Sequence, residues 1–246
     1  MFTMAKRIMT FAVAALWLLL PLRVGAQNEL FSVDEMPNAV NYLPAPPDTA
    51  SADFMYDLIR YQWGKQQRLD RERAAQAVSD ADWGVSVVCR IFSQPFGMEI
   101  SKDSTPELYR LLEMSVATCD LATHKAKERY RRKRPYTRMC EPSLVPRDEE
   151  ELRENGSYPS GHTMLGWSSA LVLMEVNPAA QDALLARGYA YGESRVIAGF
   201  HWQSDVNAAM LAASAAVARL HTSDRFQEQM RKAKAEFAKK RKKVKF

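Results

Sequence analysis

Apolar residues recur every three to four positions along most of this chain, and this helical period constrains the fold more than any other feature. No run of strand-like alternation separates the periodic segments. Thr105-Pro106 is typical of a helix start, and Asn177-Pro178 of a break between two helices. The sequence therefore predicts an all-α, single-domain helical bundle, with helices at about 52–67, 71–89, 105–132, 163–176, 179–198 and 202–220.

The last of these segments is rich in alanine between residues 208 and 218. Because small side chains let neighbouring helices approach closely, we expect the helix at 202–220 to be the central one. The chain has 246 residues, of which 47% are hydrophobic and 26% charged, and this ordinary globular usage excludes a collagen-like or wholly disordered protein. The mean hydropathy of −0.34 argues against a membrane protein with several spans.

The first 26 residues have the pattern of a secretory signal peptide. Lys6 and Arg7 precede an apolar run at 11–20, and small residues at 24–26 precede Gln27. A membrane anchor is the alternative, but the apolar run is shorter than the roughly 20 residues of a span and Pro21 interrupts it. We therefore expect cleavage of the signal, a periplasmic location and no membrane span in the mature protein. After it we expect a proline-rich lead at 27–50, the all-α domain at 51–224 and a basic helix or tail at 225–246.

Three cysteines, Cys89, Cys119 and Cys140, are too few for a disulfide framework. Their spacing has no CxxC character, so a cysteine metal site is not expected. Cys89 lies in an apolar run, where it is most simply a buried small hydrophobic residue. Whether any two of the three form a disulfide stays open.

A first polar block, GSYPSGHT at 156–163, immediately precedes one of the predicted helices. Free backbone N–H groups at a helix start, after the small Ser160-Gly161 pair, favour phosphate or a similar oxyanion. His162 would place a proton donor beside such an anion. The alternative is an ordinary serine N-cap with an incidental histidine.

A second block, SRVIAGFHWQSD, runs from Ser194 to Asp205. If His201 begins the last core helix, Asp205 lies four residues later on the same face and accepts the ring N–H. The other ring nitrogen is then available as a base, a metal ligand or a nucleophile. The alternative is a purely structural His–Asp pair.

A third block is the basic run HKAKERYRRKRP at 124–135. On a helix, Lys127 and Arg134 are seven residues apart and share one stripe, while Pro135 ends the helix and the other cations face elsewhere. The alternatives are a solvated charged face and a nucleic-acid-binding patch, although no aromatic platform or nucleic-acid motif accompanies the run.

Together the blocks spell K-x6-RP, PSGH and SR-x5-H-x3-D, and this pattern resembles the three-part signature of the phosphatidic acid phosphatase type 2 (PAP2) superfamily. Within it the chain is similar to the class A bacterial non-specific acid phosphatases in LATHKAKERYRRKRPY, GSYPSGHT and RGYAYGESRVIAGFHWQSDV, and upstream in IFSQPFGMEISKDSTPELYRLL. The resemblance covers roughly residues 85–210.

The resemblance implies a metal-independent hydrolase without a cofactor. His201 would be the nucleophile that forms a phosphohistidine, Asp205 would orient it, and His162 would protonate the leaving alkoxide and then activate water. The phosphate ligands implied are Lys127, Arg134, Ser160, the Gly161 N–H and Arg195. Three cations can replace a metal ion, because phosphoryl transfer is catalysed mostly by positioning and electrostatics.

The resemblance also implies a broad range of phosphomonoester substrates, an acidic pH optimum, possible transfer of phosphate to alcohols, a homo-oligomer and no nucleic-acid partner. A vanadate-dependent haloperoxidase is the nearest enzymatic alternative, since vanadate mimics phosphate. A membrane lipid phosphatase shares the motifs but needs spanning helices. An exported basic module that binds nucleic acid or an anionic surface is the non-enzymatic alternative.

The net charge of +5 does not decide between them. Residues 231–246 carry nine cations and one acid, whereas residues 27–230 carry 22 cations and 28 acids.

Overall fold

The structure is a computed structural model that describes residues 28–243. Within this range all the regular structure is helical, which confirms the predicted all-α class. The helices are α1 (Ala52–Gln67), α2 (Arg71–Ser79), α3 (Val85–Phe96), α4 (Pro106–Tyr130), α5 (Pro135–Met139), α6 (Glu149–Arg153), α7 (Gly161–Val176), α8 (Gln181–Ile197), α9 (Gln203–Leu220) and α10 (Asp224–Lys243). Short 3-10 turns stand at Ala39–Asn41, Pro146–Asp148 and Pro178–Ala180. The predicted signal peptide lies outside the described residues.

Helix α7 lies at the centre of the bundle, packed against α4, α8 and α9. The expectation that the alanine-rich helix is central is wrong, because α9 keeps an exposed stripe that includes Asn207, Leu211 and Ser214. None of the α7 side chains is fully exposed. Glycine makes the closest approach possible: a Cβ on Gly166 would lie 2.4 Å from the Tyr191 ring, and a Cβ on Gly188 would lie 2.8 Å from the Ala170 Cβ.

The helix expected at 71–89 is two helices, and the expectation of one is wrong. The chain leaves the helical path after Ser79 and re-enters it at Val85, following Gly84 with φ 116°. The break is held by Asp80, a fully buried carboxylate that accepts hydrogen bonds from Arg187 and from the Ser194 hydroxyl at 2.7 Å. The apolar period continues across the break, so the sequence pattern alone does not reveal it.

Helix α4 ends earlier than expected. Arg131 takes a left-handed conformation (φ 39°, ψ 40°), and its N–H donates to the Lys127 carbonyl at 3.0 Å, as at many helix ends. Arg134 therefore lies in extended backbone before α5 and not on the α4 stripe that carries Lys127. The expectation that one helix presents both cations is wrong, although both reach the same site.

The basic C-terminal segment forms α10, which packs on α4 and α7. Its apolar face, with Phe226, Met230, Ala233 and Phe237, joins the main core. Glu236 accepts the Leu108 N–H at 3.0 Å at the start of α4, where an acidic side chain satisfies a free helix donor. None of the described helices is long and apolar enough to cross a membrane.

All three cysteines are free thiols in the structure. Cys89 and Cys119 are buried, as expected for Cys89, and burial raises the pKa of each to about 12. Cys140 is exposed.

Candidate active site

A cavity of about 830 Å³ opens at the N-terminal end of α7. Its wall is formed by α4, by the loop between α2 and α3, and by the segment from Arg147 to Gly156. Of the residues expected in the site, Lys127, Arg134, Gly161, His162 and His201 line the cavity; Ser160, Arg195 and Asp205 are buried beside them. The three sequence blocks thus come together.

His201 and Asp205 form the expected pair, with 3.3 Å between Nδ1 and Oδ2. His201 precedes α9 and does not begin it: the helix starts at Gln203, one residue after the predicted start at 202. Asp205 lies in the first turn, where its Oδ2 also accepts the Trp202 N–H at 2.9 Å. This second bond holds the carboxylate against the backbone and directs it at the imidazole.

The contacts of His201 determine which nitrogen carries the proton. Its Nε2 lies 3.0 Å from Arg134 Nη1, and a guanidinium can only donate, so Nε2 is the acceptor. The proton is therefore on Nδ1, where Asp205 accepts it. Burial lowers the pKa of His201 well below its usual value, and the charges of Arg134 and Lys127 lower it further. The imidazole has an unprotonated Nε2 at the cavity.

Arg134 is held rigidly, although it lies outside a helix. Its Nε donates to the carbonyls of Leu152 at 3.0 Å and Asn155 at 3.1 Å, and its Nη1 donates to the Phe200 carbonyl at 3.2 Å. Burial lowers the pKa of Arg134 to about 10.

Arg195 is completely buried, and none of its three guanidinium nitrogens has a hydrogen-bond partner. The guanidinium lies 4.7 Å from the centre of the Phe200 ring. Burial lowers its pKa to about 10, and the nearby charge of Arg134 adds to this effect, while Tyr191 opposes it. A buried cation without a partner is costly in a folded protein, and an anion would supply both missing charge and acceptors.

Lys127 completes the cationic side of the site. Its Nζ donates to the Gly156 carbonyl at 2.9 Å. Burial lowers the pKa of Lys127 to about 7, and the charge of Arg134 contributes. An anion in the cavity would raise the pKa of Lys127 again, because it would supply the opposite charge.

Helix α7 begins at Gly161, two residues before the predicted start at 163, and Ser160 is its N-cap. Ser160 Oγ accepts the Thr163 N–H at 3.3 Å and the Thr163 hydroxyl at 2.9 Å. The N-terminal end of α7 reaches the cavity through Gly161. A Cβ on Gly161 would lie 3.5 Å from both the Asp120 carboxylate and the Trp83 ring, an ordinary contact distance, so these two groups flank the start of the helix.

His162 follows at the second position of α7, and its Nε2 lies 2.9 Å from the Ala81 carbonyl. A carbonyl only accepts, so Nε2 carries a proton and Nδ1 is the nitrogen left for proton exchange. Trp83 contacts the ring edge-on, with 4.8 Å between centroids. Burial lowers the pKa of His162 well below its usual value, and the charge of Arg195 adds to this effect.

Sequence reasoning missed several residues at or behind the cavity. The helical pattern of the basic run predicts that Arg132 faces away from the site, but Arg132 pairs with the buried Asp205. Asp57 reaches Arg132 from α1. Trp83 and Asp120 line the cavity. Arg132 could have been identified as a candidate, because it belongs to the basic run at 124–135. Asp57 could not, because it lies in an ordinary amphipathic helix with no motif around it.

Residues 28–243 contain no group of three or more His, Cys, Asp or Glu side chains arranged to hold a metal ion.

A buried cationic site beside a histidine pair, on an all-helical scaffold, is the arrangement of a phosphate-handling enzyme. The profile of the PAP2 superfamily matches residues 109–228. A non-specific acid phosphatase of Providencia stuartii is 48% identical over 80% of this chain and 79% of its own length. A non-specific acid phosphatase of Salmonella typhimurium is 40% identical over 83% of this chain and 82% of its own length. An acid phosphatase of Zymomonas mobilis is 35% identical over 81% of this chain and 75% of its own length.

The chain therefore belongs to the PAP2 superfamily, and within it the chain is an acid phosphatase. The predicted family and enzyme class are confirmed. The interpretation of the chain as a non-enzymatic basic module does not hold.

Proposed function

We propose that this acid phosphatase hydrolyses a broad range of phosphomonoesters through a phosphohistidine on His201. The observation that carries the proposal is the unprotonated Nε2 of His201 beside a buried guanidinium, Arg195, that has no hydrogen-bond partner in the described chain. The first group is a nucleophile and the second requires an anion. A phosphate monoester satisfies both.

In the first step His201 Nε2 attacks phosphorus, and the bond from phosphorus to the ester oxygen breaks. Arg134 Nη1 donates to Nε2 in the structure, so its N–H would turn to a phosphoryl oxygen as the lone pair is released for attack. The imidazole becomes positively charged when it carries phosphate. Asp205 stabilises that charge through Nδ1–H and keeps the ring aligned.

His162 supplies the proton that the leaving oxygen needs. The Ala81 carbonyl fixes the proton on Nε2, so the transferable proton would be on Nδ1 of the doubly protonated ring. Water then attacks the phosphohistidine, His162 accepts the proton of that water, and orthophosphate is released.

The negative charge of the transferring phosphoryl group would be stabilised by Lys127, Arg134 and Arg195, with Ser160 and the Gly161 N–H at the start of α7. Phosphoryl transfer depends mainly on such positioning and electrostatics. These cations would therefore do the work that metal ions do in other phosphatases.

The two histidines must hold opposite protonation states, with His201 neutral and His162 charged. The pKa of each is lowered by burial and by the cations around it. A bound phosphate would supply negative charge beside His162 and favour its protonated form. A bell-shaped pH–rate profile follows, with apparent values that belong to the coupled pair.

The leaving group would occupy the open part of the cavity, where acidic, basic and aromatic side chains mix. This mixture selects no one alcohol, which supports a broad substrate range. An alcohol that enters in place of water would accept phosphate, so transferase activity would accompany hydrolysis. We further propose export through the N-terminal signal to the periplasm, and assembly into a homo-oligomer, to be tested by cell fractionation and size-exclusion chromatography.

The decisive experiment compares wild type, His201→Ala and His221→Ala with p-nitrophenyl phosphate, with and without EDTA, and traps the phosphoenzyme by alkaline quench. His221 is the matched control, because it pairs with Glu175 at 2.9 Å and does not line the cavity. We expect no turnover and no trapped phosphate in His201→Ala, full trapping in His221→Ala, and no effect of EDTA. Turnover by His201→Ala, or loss of activity with EDTA, would refute the mechanism.

A further inference from the structure

Two buried charged residues lie directly behind the His201–Asp205 pair, and the proposed mechanism does not use them. Arg132 Nη1 donates to Asp205 Oδ1, and its Nη2 donates to Asp57 Oδ2 at 2.7 Å. The Asp57 and Asp205 side chains are completely buried, and that of Arg132 is 9% exposed. Arg132 thus bridges two buried carboxylates that come from α1 and α9.

Asp57 also binds the start of α9. Its Oδ1 accepts the Ser204 N–H at 2.8 Å, and its Oδ2 accepts the Ser204 hydroxyl at 2.6 Å. Arg132 Nη1 donates to that same hydroxyl oxygen at 2.7 Å. A carboxylate on the free amides of a helix start is a favourable arrangement, and here it ties α1 to the turn that carries Asp205.

The network assigns each oxygen of Asp205 to a different task. Oδ1 is occupied by Arg132, while Oδ2 receives Trp202 N–H and His201 Nδ1–H. If the bond to Oδ1 were lost, one side of the carboxylate would be free to rotate. The imidazole would then lose its fixed direction, and a misplacement of about 1 Å can cost about 100-fold in rate.

The network also sets the charge that His201 experiences. Arg132 alone would cancel the charge of Asp205. Because Asp57 neutralises Arg132, the three side chains together keep one negative charge next to the imidazole. That charge stabilises the positively charged phosphohistidine.

We infer that Arg132 and Asp57 are positioning residues for the phosphatase reaction: Arg132 orients Asp205 toward His201, and Asp57 holds Arg132 and preserves the negative charge behind the nucleophile. The inference rests on the proposed role of His201. Neither residue lines the cavity, so neither contacts the phosphate.

The charged and titratable groups that act on His201 come from several elements. They are Asp205 of α9, Lys127 of α4, Arg134 before α5, His162 of α7, Arg195 of α8, and, through Asp205, Arg132 and Asp57. Substitutions at Arg132 and Asp57 leave the other groups in place.

The test measures kcat/KM against pH, kcat, and inhibition by orthophosphate for Asp57→Asn, Arg132→Gln, Arg132→Lys and the control Arg129→Gln. Arg129 is an exposed cation of α4 that does not line the cavity. Asp57→Asn removes negative charge, so the acid limb governed by His201 moves to lower pH, by about half a unit or more. Arg132→Gln removes positive charge, so the limb moves to higher pH.

Arg132→Lys keeps the charge but cannot reproduce the fork of bonds. It leaves the limb in place and lowers kcat by about 10- to 100-fold. Orthophosphate inhibition changes by less than about threefold in every variant, because the effect is on the chemical step and not on binding. Arg129→Gln matches wild type in all three measurements.

A merely structural network gives other results. The inference is wrong if the acid limb of the kcat/KM–pH profile stays in place, or moves in the same direction, in Asp57→Asn and Arg132→Gln. It is also wrong if inhibition by orthophosphate is lost in parallel with kcat. If Arg132→Gln does not fold, Asp57→Asn and Arg132→Lys decide, because the limb must move in the first and stay in the second. Unmoved limbs together with an inactive His201→Ala would leave the phosphohistidine mechanism standing and refute this inference alone.

Discussion

Replacing Arg195 by methionine should make the phosphate-free protein more stable while it abolishes activity. Arg195 is fully buried, and its guanidinium has no hydrogen-bond partner among the described residues. Its pKa falls from the usual 12.5 to about 10, mainly through burial. At about 1.4 kcal/mol per tenfold change in proton affinity, the charged guanidinium costs the folded state about 3 kcal/mol.

The sign of this effect follows from proton binding. The pKa of Arg195 is lower in the folded state than in the unfolded state, so the cost is fully present below about pH 10. The contact with the Phe200 ring at 4.7 Å returns about 0.5–2 kcal/mol. A methionine of similar length should therefore raise the free energy of unfolding by about 1–3 kcal/mol at neutral pH. For a chain of this size that raises Tm by about 2–10 °C.

The assay is thermal unfolding with and without orthophosphate. Phosphate at about 100 times its Kd should stabilise wild type by about 2.7 kcal/mol, while Arg195→Met gains much less because it binds phosphate weakly. Without phosphate, Arg195→Met should be more stable than wild type. With phosphate, the difference in stability should disappear or change sign.

The matched control is Arg187→Met on the same helix. Arg187 pairs with the fully buried Asp80, so its removal leaves a buried carboxylate without its charge partner and should destabilise the protein with or without phosphate. If phosphate-free Arg195→Met is less stable than wild type, or if its gain is unchanged by phosphate, then Arg195 is not a destabilised anion-binding group.

Three further predictions concern the proton donor, phosphate binding and the packing of the bundle. His162→Ala should lower kcat by about 10²–10⁴-fold with an alkyl phosphate and much less with p-nitrophenyl phosphate, whose leaving group needs no proton; equal losses would contradict the role of His162. Orthophosphate binding near pH 6 should take up protons, because burial and nearby cations lower the pKa of His162 and the bound anion opposes this. Calorimetry in buffers of different ionisation enthalpy measures the uptake, and its persistence in His162→Ala would contradict this role of His162. Gly166→Ala should destabilise the protein by about 1–3 kcal/mol, because the new Cβ would lie 2.4 Å from the Tyr191 ring between α7 and α8; unchanged unfolding in urea would show that these helices can separate without cost.

Most of the candidate site could be predicted from residues that lie a few positions apart in the sequence. His201 and Asp205 are four residues apart, and any chain that starts a helix near them brings them into contact. Ser160 caps α7 as a serine before a helix is expected to do. Lys127 and Arg134 both line the cavity, but not for the reason that the sequence suggests, because the left-handed turn at Arg131, and not two turns of helix, brings Arg134 there.

Contacts across long sequence separations lay beyond such reasoning. Asp57 and Arg132 are 75 residues apart in the sequence. The tautomer of His162 is set by the carbonyl of Ala81, which is 81 residues away and lies in the break between α2 and α3. The apolar period of the sequence continues across that break. A period reports which face of a helix is apolar, but it does not report which helix covers that face. The centre of the bundle was misplaced for this reason, since alanine content suggested α9 and packing selected α7.

By itself, then, the sequence determined the helical class, the family and a set of residues that the fold brings together, because these depend on residue types at short, fixed spacings. Only the tertiary structure decided how those groups are tuned. It buries Arg195 without a hydrogen-bond partner, sets Arg134 against the Nε2 lone pair of His201, and places Arg132 and Asp57 behind Asp205. Desolvation and charge pairing depend on what surrounds a group in space, and the surroundings are set only when the helices pack.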